Sequence, residues 1–138
     1  MIYTPSEDSF LLARALVLYV KNKTVLDMGA GSGIQTETAL KTGAVSVCAV
    51  DINTEAITQL TKKKLKNVTV VQSNLFTHIS ESFDLIVFNP PYLPRDTRED
   101  KESAKATTGG KHGDEIILRF LKQAPKHLTK EEIGRAHV

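Results

Sequence analysis

Apolar and polar positions along the chain alternate between helical and strand periods. Between Pro5 and Val20 the residues Leu12, Leu16, Tyr19 and Val20 recur at helical spacing. Ser6 can cap that helix, and Glu7 and Asp8 in its first turn suit the positive end of the helix dipole. Val25-Leu26-Asp27-Met28 is a short apolar run ended by glycines, the pattern of a buried strand. A helix follows over Ile34 to Lys41 and stops at Thr42-Gly43; Val45 to Val50 reads as the second strand. Asn53 can cap a helix reaching about Lys64, with Ile57, Leu60 and Leu65 facing inward. Val68 to Val71 and Phe83 to Phe88 supply two more strands. Arg95 to Lys111 is a polar loop, and a last helix runs from about Asp114 to Ala124, where Pro125 ends it. Strands separated by helices imply right-handed crossovers and a parallel sheet with helices on both faces, an α/β fold.

Composition narrows the class without identifying a function. The 138 residues fit one small domain, with 41% hydrophobic and 25% charged residues. No apolar run approaches the length of a membrane span, and Met1 to Asp8 lacks the pattern of a signal peptide. A single cysteine, Cys48, fits a reducing, cytoplasmic setting. A net charge of +2 does not argue for nucleic acid, and Lys62-Lys63-Lys64 with Lys66 reads as a solvated helix end. His78, His112, His127 and His137 have no metal-ligand spacing, so no metal site is expected.

The chemistry concentrates at strand ends. Asp27-Met28-Gly29-Ala30-Gly31-Ser32-Gly33 follows the first strand and opens a helix, the place for a tight turn that lets backbone approach a ligand. Its G-x-G-x-G spacing differs from the dinucleotide fingerprint, which disfavours a nicotinamide oxidoreductase. The carboxylate of Asp27 suits a ligand bearing an amino group and a sulfonium rather than a pyrophosphate. Asp51 ends the second strand, where a carboxylate can take two ribose hydroxyls. Ser73-Asn74-Leu75-Phe76 suits an adenine pocket, with Asn74 on the base edge and Leu75 or Phe76 on its face. These features together favour S-adenosylmethionine over a dinucleotide.

Strand four runs into Asn89-Pro90-Pro91-Tyr92. Pro90 holds Asn89 extended, and the two prolines stiffen a corner at the carboxyl end of the strand. The side-chain oxygen of Asn89 and the carbonyl of Pro90 can then accept both N–H bonds of one planar amino group. That grip orients a poorly nucleophilic nitrogen and stabilises its developing charge. Tyr92 can stack on the plane bearing the nitrogen.

The glycine turn, Asp51 and Asn89 to Tyr92 together resemble a class I methyltransferase using S-adenosylmethionine and carrying the N-P-P-Y signature. Tyr3 to Leu12 and Thr108 to Glu115 narrow the resemblance to the archaeal and eukaryotic branch of the release-factor (HemK-like) glutamine methyltransferases. The resemblance implies a Rossmann-like fold and N5-methylation of the glutamine in the Gly-Gly-Gln loop of a class 1 release factor. It also implies cofactor contacts from Ser9, Asp27, Gly29, Gly31, Gly33, Asp51, Asn74, Leu75 and Asn89, with Asn89, Pro90, Pro91 and Tyr92 as the catalytic corner. At position 74 the family usually has Asp; Asn still accepts a hydrogen bond, so weaker cofactor binding is the expected consequence. The branch is also similar to enzymes working with a small zinc-binding activator protein, so the resemblance offers such a protein as a partner beside the release factor.

Two alternatives share these motifs. An adenine N6 or guanine N2 methyltransferase would use the same corner on a nucleobase, but needs a recognition domain or a basic cleft. A non-catalytic scaffold is disfavoured by the intact turn and corner. Residues 1–131 are expected to form the N-terminal part of one methyltransferase domain whose C-terminal strands are missing. Residues 132–138 match the translation of a sequencing-library adapter, an expectation that the nucleotide sequence decides. On that expectation strand four is an apolar edge and the chain is prone to aggregate.

Overall fold

A computed structural model describes residues 7–90, 114–129 and 136–137, with side chains over 11–90 and 115–129. The helices are α1 (Glu7–Leu16), α2 (Ile34–Lys41), α3 (Thr54–Lys62) and α4 (Asp114–Gln123). The strands are β1 (Thr24–Met28), β2 (Ser46–Asp51), β3 (Val68–Gln72), β4 (Leu85–Phe88) and the two-residue β5 (Ala136–His137). Asn53 caps α3 as expected, its side chain accepting the Ala56 N–H at 3.0 Å. Pro125 does not stop the chain abruptly: a 3₁₀ turn (Ala124–His127) continues α4, with the proline in its first turn.

All strands are parallel, in the order β3-β2-β1-β4-β5. Such sheets carry helices on both faces, and the near-continuous burial of β1, β2 and β4 shows it. One face presents Val25, Val47, Leu85 and Val87 to Leu16, Val20 and Ala39, while Ala49 packs with Leu60 of α3. The opposite face presents Leu26, Met28, Cys48, Val50, Ile86 and Phe88 to Phe120, Ala124 and the segment Leu75, Phe76 and Ile79. The Phe88 and Phe120 rings lie 4.3 Å apart at their centroids. Cys48 is buried, and burial pushes its thiol up to about 11, so it is core rather than chemistry.

The outer edge of β4 requires a correction to the sequence reading. Ala136 and His137 pair in parallel with Ile86 and Val87, so that edge is covered over two positions rather than left without a neighbour. The rest of 130–138 lies outside the described residues. Among the described residues no helix is long and apolar enough to cross a membrane.

The far ends of β1 and β4 are tied together by Asp84. Its Oδ2 accepts the Thr24 N–H at 3.0 Å, its Oδ1 accepts the Thr129 hydroxyl at 3.0 Å, and its own N–H donates to the Thr24 carbonyl at 3.0 Å. Phe83 and Thr129 add backbone bonds, with the Phe83 N–H donating to the His127 carbonyl at 2.7 Å and the Thr129 N–H to the Phe83 carbonyl at 3.0 Å. The Thr24 N–H holds the Asp84 carboxyl below the usual range, with the Thr129 hydroxyl helping. Asp84→Ala is expected to lower unfolding free energy by about 1–3 kcal/mol, because it strips an acceptor from part-buried donors. A lowered carboxyl stabilises the fold above its ordinary value and loses that contribution as pH falls through the lowered one. The difference between wild type and Asp84→Ala, followed by urea unfolding, therefore shrinks in acid and is constant near neutrality.

Candidate active site

The chain order β1-β2-β3 runs outward on one side of β1, and β4 returns on its other side. Beyond the carboxyl ends of β1 and β4 such a sheet opens a crevice. Register sets Met28 beside Phe88, so the residues that follow each strand, Gly29 and Asn89, meet there. The Asn89 N–H donates to the Met28 carbonyl at 3.1 Å. A Cβ on Gly29 would lie 2.6 Å from the Asn89 carbonyl oxygen, and Gly29 has φ +74°. Only glycine permits the turn and the corner to approach this closely.

The turn is held from several sides. The Gly29 and Ala30 N–H groups both donate to the Val50 carbonyl, at 2.8 and 2.9 Å, and the Gly33 N–H donates to the Ala30 carbonyl at 2.8 Å. Asp51 bridges it to α3: Oδ2 accepts the Gly31 N–H at 2.8 Å and Oδ1 accepts the Asn53 N–H at 2.9 Å. Each carboxylate oxygen keeps a second lone pair, so the half-buried group both fixes the turn and presents acceptors at its mouth.

Asp27 lies fully buried in β1, between Ala49 and Val87 of its neighbours. Its Oδ2 accepts the Thr36 hydroxyl at 2.7 Å from the first turn of α2. Its Oδ1 is buried and has no hydrogen-bond partner among the described residues. Burial pushes the carboxyl up to about 7; the bonds from Thr36 oppose the shift, and the charge of Asp51 adds slightly to it. A buried carboxylate oxygen without a donor is the feature that a cationic ligand group satisfies.

The segment expected to flank an adenine is organised by Ser73, its first residue. The buried Ser73 hydroxyl donates to the Leu75 carbonyl at 2.8 Å and accepts the His78 N–H at 3.0 Å. The Ser73 N–H donates to the Asp51 carbonyl at 3.1 Å, so the segment hangs from the end of β2. These bonds hold Leu75 at φ +51°, a left-handed conformation that its side chain disfavours. Asn74 is exposed beside it. Phe76 is not available for a ligand face: its ring stacks on His127 at 4.4 Å and on Phe120 at 5.7 Å within the core. Leu75, the other expected candidate, is likewise buried in that core.

Asp27, Gly29, Gly31, Gly33, Asp51, Asn74, Leu75, Asn89 and Pro90 thus sit on turns and strand ends around one end of the sheet. Ser9 lies within α1, its side chain outside the described residues, and Pro91, Tyr92 and the segment 101–113 also lie outside them. Thr36, and the organising role of Ser73, are what the motifs did not reveal. A hydroxyl three residues past the last glycine, and a serine opening a polar turn, were the available signals.

The raised Asp27 carboxyl has a measurable consequence. Between about pH 4 and pH 7 the folded protein keeps a proton that the unfolded chain has released, so this group makes stability fall as pH rises through that window. Asp27→Asn is expected to flatten that slope and to be more stable than wild type at pH 8, measured by denaturant unfolding across pH. A slope unchanged by the substitution would contradict the burial argument.

The model of one family, the methyltransferase small domain, matches residues 7–133. A relative from Methanocaldococcus jannaschii, named for protein N5-glutamine methyltransferase activity, is 42% identical over 94% of this chain and 68% of its own length. Methyltransferase HEMK2 of Mus musculus is 31% identical over 93% of this chain and 67% of its own. Among solved structures, that of an E. cuniculi Mtq2–Trm112 complex, responsible for methylating the termination factor eRF1, has a TM-score of 0.68 and 32% identity. It covers 88% of this chain and 68% of the matched one. The ribosomal protein L11 methylase of Lactobacillus delbrueckii has a TM-score of 0.71 at 26% identity, over 98% of this chain and 62% of its own. The chain thus spans about two-thirds of the length of these relatives. With the glycine turn, the acidic strand ends and the Asn89 corner on one rim of a parallel sheet, the chain belongs to the methyltransferase small domain family.

Proposed function

We propose that the protein methylates the side-chain amide nitrogen of the glutamine in the Gly-Gly-Gln motif of a class 1 peptide-chain release factor, with S-adenosylmethionine as donor. The observation that carries this reading is the close approach of the Asn89 corner to the glycine turn, where a Cβ on Gly29 would lie 2.6 Å from the Asn89 backbone carbonyl oxygen. That approach supports reading the two as acceptor grip and cofactor turn of one site. The 42% identity to a relative named for glutamine methylation supports the choice of acceptor.

The residues present fit that donor. Asp27 offers a buried carboxylate oxygen to an ammonium, Asp51 offers its remaining lone pairs to ribose hydroxyls, and Asn74 and Leu75 flank the adenine position. When bound, the cofactor supplies an electrophilic methyl group on a positively charged sulfur. The Asn89 side-chain oxygen and the Pro90 carbonyl accept the two N–H bonds of the substrate amide and aim its nitrogen lone pair. The same two acceptors stabilise the positive charge that the nitrogen gains, and one of its protons then leaves to water. The resemblance assigns Pro91 and Tyr92, which lie outside the described residues, to the same corner. No general base is needed before transfer. Ser9 and the backbone at Gly29, Gly31 and Gly33 complete the cofactor wall.

Because the E. cuniculi methyltransferase was solved in complex with Trm112, a small activator, zinc-binding in its own right, is proposed as a partner here. The site of action is the cytoplasm, where release factors work and a buried reduced Cys48 is stable.

Labelled methyl donor offered with release factor, tRNA, rRNA and DNA side by side tests the reading, with and without a candidate activator. Label is expected on the release factor glutamine; label on nucleic acid alone would establish the nucleobase amine reading instead. Asn89→Ala is expected to cut transfer by about 100-fold or more while leaving cofactor affinity nearly intact. Asp51→Ala is expected to weaken the cofactor by about 10- to 100-fold, through lost hydrogen bonds to a charged group.

A further inference from the structure

The lysine run at the end of α3 is not uniform. Lys63 stands alone among its neighbours in reaching back to the glycine turn: its Nζ donates to the Ser32 carbonyl at 3.0 Å and to Glu37 Oε1 of α2 at 2.8 Å. The Lys63 Nζ and Leu60 Cδ2 also close the space at Gly33, where a Cβ would lie 3.5 and 2.7 Å from them. Gly33 itself has φ +91° and caps α2.

The peptide between Ser32 and Gly33 is thereby held at both of its polar groups. Its carbonyl takes the Lys63 ammonium, and its N–H donates to the Ala30 carbonyl at 2.8 Å. The preceding Gly31 N–H is held by Asp51, whose other oxygen takes the Asn53 N–H that opens α3. Helix α3 is therefore joined to the turn twice, through Asp51 near its start and through Lys63 at its end. Flipping the Ser32–Gly33 peptide would break the charge-assisted bond from Lys63 and the backbone bond from Gly33 to Ala30 together.

We propose that Lys63, braced by Glu37, is a positioning residue that holds the glycine turn in its cofactor-receiving shape. It touches no substrate and acts through the backbone of Ser32. The inference rests on the reading of this turn as the cofactor site.

The test measures S-adenosylmethionine affinity by calorimetry, and melting temperature alongside, on the full chain and its variants. Lys63→Met is expected to weaken the cofactor about three- to tenfold, a modest effect because the pair is partly exposed. Lys63→Arg should recover part of the loss, and Lys62→Met, which removes the same charge one residue away, should change nothing. High salt should narrow the gap between wild type and Lys63→Met. Equal affinity in Lys63→Met and wild type, or an equal loss in Lys62→Met, overturns the proposal. So does a fall in melting temperature with affinity unchanged, which would make Lys63 a fold-stabilising residue only. Asp51→Ala separates the two levels: if it weakens the cofactor and Lys63→Met does not, the positioning role alone fails. If Asp51→Ala also leaves affinity unchanged, the cofactor reading fails and takes the inference with it.

Discussion

A carboxylate buried in the centre of the sheet with one oxygen unanswered is the constraint around which this end of the molecule is arranged. Asp27 is flanked by β2 and β4, receives one hydroxyl bond from Thr36, and keeps its other oxygen without a donor among the described residues. Burial of an ionised carboxyl is costly, and that cost pushes the Asp27 carboxyl up to about 7. A fold optimised for stability alone would place an apolar residue at this position, as it does at Val25 and Leu26. The retained carboxyl, with its unanswered oxygen, is what the proposed cationic ligand would meet.

The remaining geometry follows from sheet order. Because β4 returns beside β1, the turn after β1 and the corner after β4 are neighbours without any long loop to bring them together. Their distance is then set by glycine at 29, and their orientation by the bond from Asn89 to Met28. Asp51 carries the same precision outward to α3, and Ser73 carries it to the segment of Asn74 and Leu75. The glycine turn and the Asn89 corner are thus parts of one hydrogen-bonded rim.

Much of this rim was legible in the sequence because its parts obey local rules. A glycine series after an apolar run, an acidic residue at the next strand end, and an asparagine locked by proline each specify backbone conformation within a few residues. Helix α3 was legible for the same reason, since Asn53 caps it as its residue type suggests. What was not legible depends on contacts between distant segments. Phe76 could have lain against a base, and only the position of Phe120 and His127 shows that it belongs to the core. Lys63 looked like one of several solvated charges until α3 was placed against Ser32 and Glu37, 31 and 26 residues away. The strand at Ala136 and His137 carries no local signal, and its pairing arises from the open edge of β4.

The proposed pairing of Asp27 with the cationic end of S-adenosylmethionine is open to test through the protons released on binding. Binding enthalpies of S-adenosylmethionine measured at pH 7, in buffers of different ionisation enthalpy, report the protons exchanged on binding. With its carboxyl near 7, Asp27 is about half protonated there and must ionise to meet a cation. The wild type is therefore expected to release about half a proton more than Asp27→Asn on binding. Equal proton exchange in the two proteins, with cofactor bound equally well, would contradict the account.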